Sequence, residues 1–262
     1  MILTGLSAVI ASSFYLYASF LLWHRIQTKP SAALRQKVLN VSLVAVLLHL
    51  FALSATLHDG LQILFGFGNS LSLIALLGSS ILLLTNVNKN TETLGIFIFP
   101  LAALSTLLPI ALHDSHPLPY ELGSHVLISI SAYSIMGLAT AQAILYSVQE
   151  KRFRKKQLSA VLKALPPLQV MENTMIQLVN IGFVFLSFAL LSGAFFIEDM
   201  FDQKLIHKTF FAIMAWLVYA VFLVGRLQQG WRGQKAAKYT IMAYALLILS
   251  YIGTEAVIYF LN

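Results

Sequence analysis

The chain has 262 residues, 58% of them hydrophobic and only 10% charged, with a mean hydropathy of +0.80. A soluble domain carries about 25% charged residues, so composition excludes a water-facing globule. The lack of cysteine excludes thiol chemistry, disulfide exchange and iron–sulfur ligation. The net charge of +7 sits in short connections between apolar runs, which speaks for membrane topology and against nucleic-acid binding.

Eight apolar stretches follow one another, and an all-α, eight-span integral membrane protein forming a single domain over 1–262 is the expectation. Span 1 covers about 2–23; with no basic n-region and no good cleavage site it reads as a retained span. His24, Arg25, Lys29, Arg35 and Lys37 precede span 2, about 38–57. Span 3 is about 68–87, and a polar turn leads to span 4, about 94–112. Span 5 is about 124–148 and runs into KRFRKK, which opens a basic connection over 149–174. Pro166 and Pro167 must interrupt any helix there, because neither supplies an N–H. Span 6 is about 175–197, span 7 about 205–225 and span 8 about 239–261. The apolar run at 60–68 is too short to cross and is expected to lie in the outer interface or to extend span 3.

An even number of spans places both termini on one side, and charge chooses the side. Alternate connections hold 15 of the 17 Lys and Arg residues; the opposite side keeps Lys204, Lys208 and six of the ten acids. The positive-inside bias therefore puts both termini outside the cytosol. The 149–174 connection reads either as an interfacial segment that pins topology or as a docking surface for a partner.

Polar residues inside an apolar span are candidate functional groups. His49, midway along span 2, is either a cofactor contact or a packed, hydrogen-bonded histidine. Glu255, near the outer end of span 8, reads as a partner of Lys208 or a histidine, a proton-handling or cofactor-edge group, or an interfacial residue. His125 and His207 open spans 5 and 7 at the same outward side. Two neutral imidazoles facing across a gap are what bis-axial ligation of haem iron requires, although such residues are equally compatible with interfacial hydrogen bonding. Ser129 and Tyr133 follow His125 at i+4 and i+8 on one face, and Lys208 offers positive charge to propionates. His58-Asp59 and His113-Asp114-Ser115-His116 read as solvent-facing loops before a metal patch. GWRG at 230–233 reads as a structural turn. No HExxH, GxSxG or phosphate loop is present, so no catalytic constellation marks an enzyme.

Several stretches carry a resemblance: HVLISISAYSIMGLATAQAILY at 125–146, LPPLQVMENT at 165–174, LLSGAFF at 190–196, HKTFFAIMAWLVYAVFLVGR at 207–226, GWRGQKAAKYTI at 230–241 and LSYIGTE at 249–255. On these the chain resembles the cytochrome c assembly protein family of haem-handling membrane proteins. More closely, it is similar to the small eight-span HemX-like and YpjD-like branch of the bacterial inner membrane. The resemblance implies a haem cofactor held at the outward surface, and work alongside other cytochrome c maturation or membrane proteins. His125 falls where the family has an outer haem histidine, and His207 stands as the second iron ligand. The family's tryptophan-rich segment is replaced by AFFIEDMFDQKLIHKT, and Val224 stands where larger members place an in-membrane histidine. The resemblance thus implies fold and haem handling, not covalent haem attachment. The rival expectation is a cofactor-free membrane partner of the same fold, regulating haem synthesis or an ion transporter.

Overall fold

In a bilayer the side chains that face lipid are as apolar as those in a core, so small and polar residues mark the packed face of each helix. The first helix shows this. In α1 (Ile2–Gln27) Ala8, Ala11, Tyr15 and Ala18 are fully buried, while Leu3, Leu6, Leu16 and Phe20 face outward. The computed structural model describes residues 2–27, 31–59, 62–88, 94–112, 116–156, 166–196 and 203–261.

The remaining elements are α2 (Ala32–Leu57), β1 (His58–Asp59), β2 (Gln62–Phe65), α3 (Phe67–Asn88), α4 (Gly95–Ser105), α5 (Leu108–Leu112), β3 (His116–Leu118), α6 (Tyr120–Arg154), α7 (Leu168–Phe196), α8 (Gln203–Gln229) and α9 (Gln234–Leu261). Among the described residues seven stretches are long and apolar enough to cross a membrane: α1, α2, α3, α4 with α5, α6, α7 and α8. The fold is therefore a mostly helical, polytopic one. α9 is a further helix of 28 residues, with side chains described as far as Ser250.

The chain divides into two compact units. The first comprises α1 to α5 and the strands. There α1 packs on α2 and α4, and α3 on α2, α4 and α5. Expected span 4 is broken at Thr106-Leu107, because Pro109 has no N–H to donate to Ser105 O and its ring crowds that carbonyl. The Thr106 hydroxyl donates to Ala102 O at 2.6 Å and closes the end of α4. Gly68 lets α5 lie against α3: a Cβ there would stand 2.9 Å from Leu108 O.

Within the run at 60–68, residues 62–65 do not extend span 3. Gln62–Phe65 is the middle strand of a three-stranded antiparallel sheet, with Ile63 opposite both His58 and Leu118 and Phe65 opposite His116. Ile63 and Phe65 point inward, and buried Asn69 donates to Leu64 O at 2.9 Å, so the strand's alternation and a side-chain hydrogen bond outweigh helix extension. The protein thus carries a small β element beside its helices.

The second unit comprises α6 from Ser124 onward with α7, α8 and α9. Ala132, Met136, Ala139 and Ala143 form one fully buried face of α6. Gly182 of α7 meets Met136, and Gly137 of α6 meets the Tyr244 hydroxyl of α9. Helix α6 continues through Arg154, and α7 begins at Leu168, directly after the two prolines, so both ends of the basic connection are helical. Residues 157–165 of that connection lie outside the described residues.

Candidate functional site

The second unit carries His125, Ser129, Tyr133 and Lys208. His125 Nδ1 lies 2.9 Å from the Ser192 hydroxyl of α7. Ser192 Oγ is also 3.1 Å from Ala189 O. With its hydroxyl hydrogen on that carbonyl, Ser192 accepts from the Nδ1–H of His125. A neutral imidazole protonated at Nδ1 has its lone pair on Nε2. That lone pair faces Ser129, whose Oγ stands at a long 3.4 Å. An imidazole oriented through one nitrogen with the other left basic is the arrangement metal-ligating histidines use.

Tyr133, two turns below His125, donates to Ser250 Oγ at 3.4 Å, and Ser250 donates to Lys208 O at 2.7 Å. This relay ties α6 through α9 to the beginning of α8, the helix that carries His207. Lys208 is exposed at the start of α8. His207 is the neighbouring residue in α8. The side chains of His207 and Glu255 lie outside the described residues, although both positions are helical. Ser192 and Ser250 lie in stretches that carry the resemblance but were not singled out as site residues. Ser192 is near the end of expected span 6 and Ser250 midway along expected span 8, and their spacing did not reveal which neighbour they would meet.

His49 belongs to the first unit and is fully buried. Its Nδ1 is 3.2 Å from the Tyr15 hydroxyl and its Nε2 is 2.8 Å from Ser72 Oγ, with the Tyr15 ring edge-on at 5.7 Å. Both nitrogens are engaged by protein groups. Among the described residues no cluster of three or more His, Cys, Asp or Glu has the grouping of a metal site. His58 and His116 sit on the two outer strands, and His113 and Asp114 lie outside the described residues.

The GWRG turn is built on positive φ at Gly230 (64°) and Gly233 (62°), where a side chain would be strained. Trp231 folds back on Gly225, where a Cβ would lie 2.6 Å from its ring, and stacks on Tyr239 at 4.8 Å. Arg232 Nε and Gly233 N both donate to Glu172 Oε1 at 3.2 Å, with Arg226 at 4.0 Å. The turn thus clasps the start of α7 through a buried carboxylate in the LQVMENT stretch.

Comparison with known proteins gives three findings. The model for "Cytochrome C assembly protein" matches residues 6–261. Inner membrane protein YpjD of Escherichia coli K12 is 26% identical over 234 residues, covering 85% of this chain and 87% of its own. Two proteins named cytochrome c biogenesis protein CcsA also align. That of Chlorella vulgaris is 27% identical over 226 residues, covering 70% of this chain and 72% of its own, and that of Chlamydomonas reinhardtii is 26% identical over 180 residues, covering 63% and 49%. No solved structure matches.

Proposed function

The chain belongs to the cytochrome c assembly protein family and is a multi-pass protein of the bacterial inner membrane, and from that premise we propose that it binds or handles haem in the service of cytochrome c biogenesis. The names of the CcsA relatives support the biogenesis role. The observation that supports haem handling is the His125–Ser192 contact, which leaves Nε2 as the basic nitrogen when the Ser192 hydrogen lies on Ala189 O.

In this reading His125, through Nε2, and His207 would hold haem, which would supply the iron. Ser129 and Tyr133 would line its polar side, and Lys208 would face the propionates. His49 is a deeper position and Glu255 an edge group. All helices, α9 included, make one eight-span membrane domain with both termini outside, the His125 end outward and the basic 149–174 connection in the cytosol. The chain's own residues bind, orient and shield the cofactor, and no group is assigned to bond-making. Other cytochrome c maturation or membrane proteins are the partners. The test is the absorption of the protein purified in native lipids and titrated with haem. A Soret band that saturates near one haem per chain supports the proposal; no band before or after haem addition removes it.

A further inference from the structure

At the end that carries the GWRG turn, the second unit closes in a basic rim. Helix α6 finishes in KRFRKK, whose five cations are exposed, with Phe153 60% exposed among them. The α8–α9 turn adds Arg232, Lys235 and Lys238. Gln234 joins the two stretches: it accepts from Ser147 at 3.0 Å and donates to Glu150 at 2.7 Å, which draws the start of α9 to the end of α6.

The carboxylates of this rim are already used. Glu150 accepts from Arg154 at 2.7 Å, and Glu172 from Arg232 and Gly233. Among the described residues no carboxylate reaches within ion-pair distance of Lys151, Arg152, Lys155, Lys156, Lys235 or Lys238. Six like charges held together without counter-charges repel one another, so the rim is complementary to anions. It also holds a fixed aromatic element. The Trp231 ring is pinned by Gly225 and Tyr239, its indole N–H donates to Gln229 Oε1 at 2.8 Å, and Lys235 Nζ sits 3.6 Å above the ring centroid.

We propose that this rim binds anionic phospholipid headgroups, with Trp231 and Lys235 as the ordered contact and Lys151–Lys156 as a looser electrostatic one. Helices α6 and α8 are long and apolar enough to span the bilayer, so their ends hold the rim at its surface, where lipid phosphates are the most concentrated anions. Tryptophan at headgroup depth and a phenylalanine set among cations are the residues that seat such a surface.

The experiment is native mass spectrometry of the full chain released from nanodiscs containing equal phosphatidylcholine and phosphatidylglycerol. The wild-type chain retains phosphatidylglycerol preferentially. K235Q with K238Q, and separately K151Q with K155Q and K156Q, lower that preference by up to about fivefold per cation removed, while K37Q in the first unit leaves it unchanged. All these side chains are exposed, so folding is preserved. Equal retention of both lipids, unchanged preference in both variants, or an equal loss in K37Q overturns the proposal. Retention of a protein partner with no lipid preference does so too. No haem enters the readout, so the result stands apart from the haem proposal.

Discussion

Ser192 Oγ stands 2.9 Å from His125 Nδ1 and 3.1 Å from Ala189 O. With its hydrogen on the carbonyl, this one hydroxyl on α7 makes Nε2 the basic nitrogen of a histidine on α6. The expected outcome of S192A is a haem affinity lower by about 10–100-fold, the cost typical of losing a group that orients a metal ligand. S129A, which removes a contact of only 3.4 Å, is expected to stay within a few-fold. Equilibrium titration followed at the Soret band measures both.

The relay from Tyr133 through Ser250 to Lys208 O gives a second prediction. S250A frees the first turns of α8 from α9 and costs about 1 kcal/mol of stability, the net worth of a typical hydrogen bond. Because that turn carries His207, the variant is also expected to weaken haem binding more than Y133F does. Thermal unfolding and haem titration of the two variants, run in parallel, check the order.

His49 stands between Tyr15 and Ser72 with both ring nitrogens engaged. H49L removes a buried group that two hydroxyls depend on, and about 1–3 kcal/mol of destabilisation is expected. If its role is confined to packing, the spectrum of haem bound by the surviving folded protein is unchanged. A changed spectrum at equal occupancy would assign His49 to the cofactor instead.

At the GWRG turn, G225A drives a Cβ into the Trp231 ring and G233A places a side chain at φ 62°. Each is expected to destabilise the protein, G233A by about 1 kcal/mol and G225A by about 1–3 kcal/mol as overpacking. E172A is expected to cost a similar amount, since the Arg232 and Gly233 donors lose their shared acceptor. Thermal melts followed by circular dichroism measure all three.

The membrane class and the places of the helices were legible because apolar runs of span length and the Lys/Arg bias leave few alternatives. The sheet was not. Gln62–Phe65 is too short for its alternation to stand out, and the side chain that fixes it, Asn69, lies beyond it in α3. His125, Ser129 and Tyr133 could be placed on one face from their spacing alone. Ser192 could not, since its pairing with His125 spans 67 residues and depends on how α6 and α7 pack. The same holds for Glu172, which composition marks only as an acid near a span and which packing turns into the acceptor for a turn 60 residues away.

The most direct test is the spin state of iron in the haem-loaded protein, read by electron paramagnetic resonance in wild type, H125A and H207A. Ligation by both imidazoles predicts a low-spin signal in the wild type that becomes high-spin in each variant. A signal that is the same in all three proteins, or no bound haem iron in the wild type, would contradict it.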